Sequence, residues 1–320
     1  MRAIQYTRYG GPEVLQLVEK EKPNPGKGEL LVRVKAASIN SWDYDMIRGK
    51  PWFVRMWGVI KPKFTIPGAD ISGIVESVGS SVTRFVPGDE VFGDLSDSGW
   101  GGFAEYVAVP EKSVTFKPRE LSFEEASSLP QAGLMALQGI RDKGAVRPGQ
   151  SVLINGAGGG VGTLGVQLAR LYGAEVTAVD SGPKLPALTS LGADHVIDYT
   201  RQDYTNTEIR YDLIIDVVAD KSLAAYKRVL NPGGQFIMIG GTPSSVMQAM
   251  VFGPWASRGG DKTVGILSYA TNYGLDDIAG LCKDGKIRPV IDKIFPLAEC
   301  REAIRYYASG AAIGKVVITM

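Results

Sequence analysis

Along the first third of the chain, apolar residues gather in short strand-like runs. Such runs fall at 3–7, 14–19, 30–36, 72–78 and 103–109. Turn-forming clusters separate them, among them P-N-P-G-K-G-E at 23–29 and P-G-D-E at 87–90. Residues 1 to about 122 are therefore expected to form a compact, barrel-like β unit. The pattern changes at Ser122, where S-F-E-E sets Glu125 three residues after a serine. That spacing is a capping box, which starts a helix, and helical patterns follow over 123–128 and 134–142.

Beyond residue 150 the two periods take turns. Strands are predicted at 151–155, 175–179, 195–197, 212–218, 235–239 and 263–267, with helices at 161–172, 183–191, 221–230 and within 244–253. Such alternation argues for an α/β fold with a parallel sheet covered on both faces. The tail adds a helix near 275–284, a strand near 290–294, a helix over 298–308 and a closing strand at 315–319.

The stretch S-V-L-I-N-G-A-G-G-G-V-G at 151–162 organises this second part. Val152, Leu153 and Ile154 make a doubly buried strand, Gly156, Gly158, Gly159, Gly160 and Gly162 make the turn, and Val161 opens a helix. Glycines let the backbone approach a pyrophosphate, and the unpaired N–H groups of the helix start then bind it. A second strand ends on Asp180, 18 residues after Gly162, where a carboxylate takes the ribose hydroxyls of a dinucleotide.

Composition narrows the classes. A chain of 320 residues that is 44% hydrophobic suggests about two domains. Lys+Arg 35 against Asp+Glu 34, with no basic run, gives nothing that invites nucleic acid or an anionic membrane. No apolar run approaches the ~18 residues of a membrane span. The N-terminus begins on a strand-like pattern without a signal-peptide core, and the two cysteines, Cys282 and Cys300, form no disulfide framework. A cytoplasmic location is expected. The single histidine, His195, lies on a predicted strand and is read as structural.

The stretches 66–82 and 85–93, L-I-N-G-A-G-G-G-V-G at 153–162 and S-L-G-A-D-H-V-I-D-Y at 190–199 resemble the medium-chain dehydrogenase/reductase superfamily, in its zinc-free quinone oxidoreductase branch. The resemblance runs over nearly the full length. It implies a GroES-like catalytic domain at 1–122, completed by 272–320, and a doubly wound Rossmann domain at 123–271. Zinc-dependent relatives carry ligands where this chain has Asn40, the triplet Gly68-Ala69-Asp70, and Gln131. Asn, Ala and Gln do not make a zinc site, so no zinc is expected.

Without a metal to polarise a carbonyl, electron-poor acceptors are the expected substrates. The reading is hydride transfer from NAD(P)H to a quinone or another α,β-unsaturated carbonyl. An enoyl-thioester reductase and a non-catalytic dinucleotide-binding protein stay open as alternatives, as does a homodimer. The segment 38–49 resembles the family's N-x-x-D motif, which implies catalytic positions for Asn40 and Asp43 near the nicotinamide and substrate, with Tyr44 a possible second donor. From the residues alone, Asp43 and Arg48 pairing to hold the loop is an equal alternative. Trp42, Tyr44, Trp52, Phe53, Trp57 and Trp100 fall in predicted loops, and with Trp255 would offer flat walls to a planar substrate. Ser181, Lys184 and Tyr199 resemble the positions by which NADPH-dependent members hold the 2′-phosphate, and Gly240 joins the cofactor set. NADPH is therefore expected over NADH, with NADH also accepted.

Overall fold

The computed structural model describes residues 1–258 and 261–320. Its first elements are β1 (Arg2–Gln5), β2 (Gln16–Glu19), β3 (Glu29–Ser38), α1 (Ser41–Arg48), β4 (Asp70–Val78), β5 (Glu90–Asp94), β6 (Tyr106–Pro110), β7 (Thr115–Phe116), α2 (Phe123–Ser127) and α3 (Pro130–Leu137). There follow β8 (Ser151–Asn155), α4 (Gly160–Leu171), β9 (Glu175–Asp180), α5 (Leu185–Ser190), β10 (His195–Asp198), β11 (Tyr211–Asp216), α6 (Leu223–Arg228), β12 (Leu230–Met238), α7 (Pro243–Ala256) and β13 (Thr263–Ile266). The tail holds α8 (Leu275–Lys283), β14 (Ile291–Pro296), α9 (Cys300–Ala308) and β15 (Lys315–Thr319). Two units result. One comprises Met1–Leu134, Thr271–Gly285 and Pro289–Met320, the other Met135–Ala270 and Lys286–Arg288.

In the first unit a seven-stranded sheet runs β14-β15-β3-β4-β5-β7, with β6 also paired to β3. Leu30, Val32 and Val34 of β3 enter its core, and α9 covers it with Cys300, Ala303 and Ile304 at helical spacing. The register matters most for function. Ser38 at the end of β3 stands opposite Asp70 on β4 and Val317 on β15. Ile39 continues the pairing by donating to the Val316 carbonyl at 2.9 Å. Lys315, 275 residues away in sequence, is thereby delivered to Asn40.

Three features of this unit differ from the sequence expectation. The segment after P-G-D-E forms β5, a short strand held by β4 on one side and β7 on the other. Pairing partners make it, not its own pattern. Trp42 and Tyr44 lie on α1 rather than in a loop. This helix starts because the Asp43 carboxylate accepts the Asn40 N–H at 2.8 Å, and it ends at Gly49 with φ 61°. The segment 123–134, placed by the sequence with the dinucleotide domain, belongs to the first unit. Ser72 Oγ donates to the Phe123 carbonyl and Ser38 Oγ to that of Ser127, and the Ser122–Glu125 capping box forms as its spacing requires.

The second unit is a six-stranded parallel sheet in the order β10-β9-β8-β11-β12-β13. This is the doubly wound arrangement, in which strand order reverses between β8 and β11. The apolar run of β8 is buried because neighbours pair with it on both edges and helices cover both faces. No helix among the described residues is long and apolar enough to cross a membrane.

Candidate active site

Open α/β sheets bind ligands outside the strand ends where the order reverses, and here that point is the turn after β8. Gly156 adopts φ 75°, a region that disfavours any side chain, and Gly162 packs against the turn it follows. A Cβ on Gly162 would lie 2.3 Å from the Gly156 carbonyl oxygen and 2.4 Å from Ala157 Cα. At Gly159 a Cβ would meet only the Gly156 oxygen, at 3.5 Å. That side of the turn is open.

The N–H groups divide into two sets. Gly156 and Ala157 donate to the Val179 carbonyl at 3.1 Å, Gly158 to Asp180 Oδ2 at 2.7 Å, and Gly159 to the Gly156 carbonyl at 3.2 Å. These hold the turn itself. Among the described residues, the N–H groups of Gly160, Val161 and Gly162 in the first turn of α4 have no acceptor, and no side chain caps the helix. Three free donors at the positive end of a helix, beside an open glycine surface, fit a dinucleotide pyrophosphate. The sequence grouped all these glycines together, whereas the structure separates shapers from donors.

The end of β9 gathers the other cofactor candidates. Asp180 is buried, with Oδ2 on Gly158 N–H and Oδ1 on Ser181 N–H at 2.8 Å, while Lys184 Nζ lies 3.6 Å from Oδ1. Its charge is met within the chain. Tyr199 is exposed, and its N–H reaches the Asp180 carbonyl at 3.3 Å. Gly240 stands apart from this group, its N–H 3.3 Å from the Asp216 carbonyl at the end of β11. His195 is exposed on β10 and bonded to Glu175 at 2.9 Å.

In the first unit, the catalytic candidates belong to a buried polar cluster. Asp43 is 0% exposed and accepts the N–H groups of Asn40 at 2.8 Å and Gly68 at 3.0 Å. It holds the loop through backbone donors, while Arg48 pairs instead with Asp45 at 2.6 Å. Burial pushes the Asp43 carboxyl up to about 7. The Tyr44 ring has the Arg48 guanidinium 4.1 Å above it and the Tyr307 edge 6.2 Å away. Asn40 turns Oδ1 toward Lys315 Nζ at 2.5 Å. Its Nδ2 is buried and, among the described residues, has no hydrogen-bond partner at normal distance, although the amide still favours the charged form of the neighbouring Asp70 carboxyl.

Lys315 and Asp70 are the members the sequence reading missed as partners. Lys315 Nζ also donates to the Ile39 carbonyl at 3.0 Å and lies 3.5 Å from Asp70 Oδ2. Asp70 accepts the Gln131 N–H at 3.2 Å. Burial raises the Asp70 carboxyl and lowers the Lys315 ammonium, each against the attraction of the other. The three positions that carry zinc ligands in metal-dependent relatives therefore hold an amide facing a lysine ammonium, a methyl group and a backbone N–H facing a carboxylate. That donor set does not fit zinc. Among the described residues, no group of three or more His, Cys, Asp or Glu side chains could hold a metal ion.

The aromatic candidates do not all serve one surface. Trp42 and Phe53 meet edge to face at 6.5 Å, and Phe64 and Trp100 lie 5.1 Å apart, around a small cluster with Met46, Val54 and Ala69. Trp52 is exposed, and Trp255 is exposed on α7. Nothing is described of the Trp57 side chain. Trp100 carries a positive φ of 61° and an indole N–H that is buried and, among the described residues, without a partner.

Comparison with known proteins gives a consistent set of likenesses. Residues 26–119 match the family described as alcohol dehydrogenase GroES-like domain, and residues 191–318 match the family described as zinc-binding dehydrogenase. The chain is 35% identical to 2-methylene-furan-3-one reductase of Solanum lycopersicum, over 99% of this chain and 79% of that protein. It is 34% identical to a chloroplastic quinone oxidoreductase of Triphysaria versicolor, over 99% of this chain and 98% of that one. The solved structure of the quinone oxidoreductase from Coxiella burnetii superposes with a TM-score of 0.90 at 30% identity, over 100% of this chain and 99% of the other.

Proposed function

Because the chain belongs to the medium-chain dehydrogenase/reductase superfamily, in its quinone oxidoreductase branch, we propose that it is a zinc-independent, NADPH-preferring reductase of quinones and related α,β-unsaturated carbonyls. The observation that carries this reading is Asn40. An amide held by Lys315 stands where zinc-dependent relatives place a metal ligand, so the acceptor must be reducible without a Lewis acid. Quinones and enones meet that requirement, since added hydride leaves a delocalised anion that hydrogen bonds stabilise.

Bound NADPH supplies the hydride. This chain's own residues bind, orient and stabilise. Among the described residues, the unpaired N–H groups of Gly160, Val161 and Gly162 would hold the pyrophosphate, and Asp180, Ser181, Lys184 and Tyr199 would bind the adenosine ribose. Asn40 Nδ2 donates to the acceptor oxygen as negative charge develops there. Solvent protonates the product. We place this work in the cytoplasm, because Cys282 and Cys300 are both free and buried, as a reducing compartment allows.

Lys184 decides the nicotinamide preference. Asp180 alone would repel a 2′-phosphate, but Lys184 offsets that charge and can itself meet the phosphate. Lys184→Ala is expected to raise the KM for NADPH about tenfold, the loss of one charged hydrogen bond, and to leave the KM for NADH within twofold. A wild-type enzyme that prefers NADH, with Lys184→Ala silent, would show that Asp180 governs instead.

Elemental analysis of the purified protein is expected to find zinc far below one per chain, and prolonged chelation to leave turnover of a quinone unchanged. One tightly bound zinc per chain would overturn the substrate argument together with the metal claim.

A further inference from the structure

Lys315 is given no contact with substrate or cofactor in the function proposed above, yet its ammonium is bonded to the side chain on which that function depends. Its three donors face the Ile39 carbonyl at 3.0 Å, Asn40 Oδ1 at 2.5 Å and Asp70 Oδ2 at 3.5 Å. An ammonium has donors and no acceptor, so only the oxygen of the Asn40 amide can face it. The flipped amide would set NH2 against NH3+. Charge therefore fixes the orientation, and the other end of the amide, Nδ2, is buried and, among the described residues, has no acceptor at hydrogen-bond distance, Asp70 being near enough only to feel it. A buried unpaired donor is disfavoured, and an arriving substrate oxygen would relieve it.

Taking Asn40 as the donor, as the proposed function does, we propose that Lys315 is its positioning residue. Lys315 locks the carboxamide so that Nδ2 is presented to the substrate oxygen, and by withdrawing electron density through Oδ1 it strengthens that N–H as a donor. Asp70 holds Lys315 in turn. Asp70 is fixed by the N–H of Gln131 and by Ser38 Oγ at 3.3 Å, so the chain Gln131, Asp70, Lys315, Asn40 runs from α3 across β4 and β15 to the start of α1. The neighbouring carboxylates Asp70, Asp43 and Asp94 favour the charged form of Lys315 against the effect of burial.

The test combines kinetics with a readout that needs no turnover. Lys315→Met is expected to lower kcat about 100-fold, the loss of one oxyanion donor, with the KM for NADPH within twofold. Asn40→Ala should lose as much, and the double variant no more than either. Lys315→Arg, which keeps the cation, should recover most of kcat. In protein labelled with 15N at asparagine, the Asn40 side-chain amide resonance should move in Lys315→Met and return in Lys315→Arg. Should Lys315→Met fail to fold, Lys315→Met/Asp70→Asn removes both charges and takes its place in each arm. Additive kinetic losses, or an Asn40 resonance indifferent to Lys315, would overturn the proposal. If the wild type reduces no quinone or enone, the functional reading fails by itself, and the resonance alone then decides for or against the role of Lys315.

Discussion

Gly162→Val is expected to abolish NADPH binding, with a loss of more than about 100-fold in affinity, equivalent to about 2.7 kcal/mol. A β-branched side chain there has nowhere to go. Its Cβ alone would lie 2.3 Å from the Gly156 oxygen, so the turn must open or α4 must move, and either displaces the three free N–H donors together. Gly159→Val makes the informative contrast. That position has φ −83°, and beyond its chain neighbours the nearest atom to a Cβ is the Gly156 oxygen in ordinary contact at 3.5 Å, so the substitution leaves the apo fold intact and obstructs only a ligand lying on the turn. Titration by fluorescence should show affinity lost in both variants, while the melting temperature falls in Gly162→Val alone. Unchanged affinity in Gly159→Val would remove the open face of the turn from the cofactor site.

The second large effect is on stability. Asp43→Ala strips the acceptor from two buried backbone donors, Asn40 N–H and Gly68 N–H. At about 1–3 kcal/mol for each orphaned donor, the first unit should lose about 2–6 kcal/mol, read as an early denaturation step by chemical unfolding. A shift near zero would mean that the loop holds itself without Asp43. A pH dependence accompanies it. The folded carboxyl, at about 7, lies above the unfolded value of about 3.9. Its contribution is therefore fully present below pH ~4 and declines as pH rises through ~7. The stability gap between wild type and Asp43→Asn should narrow over that range and stay level above it.

What the sequence disclosed and what it withheld have physical reasons. The dinucleotide unit was legible because its signals are local: an apolar strand, a glycine turn and an amphipathic helix lie in one stretch of 151–171. The division of labour among those glycines was not, since it depends on which carbonyl or carboxylate each N–H meets across the sheet. Asn40 stood out by its motif, but Lys315, which aims it, gave no local signal. It is one lysine at the head of a terminal strand, and only the antiparallel register of β3 with β15 brings it to Asn40. β5 was hidden for a similar reason, being a few residues after a turn that have no period of their own and are held by pairing on both edges.

The central claim is that this chain transfers hydride from a nicotinamide cofactor to electron-poor acceptors without a metal. It is tested most directly by following NADPH absorbance with chelator-treated protein against a panel of quinones and enones, with simple ketones alongside. Acceptor-dependent oxidation of NADPH by quinones or enones is expected, undiminished by chelation and absent for the simple ketones. No turnover with any conjugated acceptor, or turnover lost on chelation and restored by zinc, would contradict it.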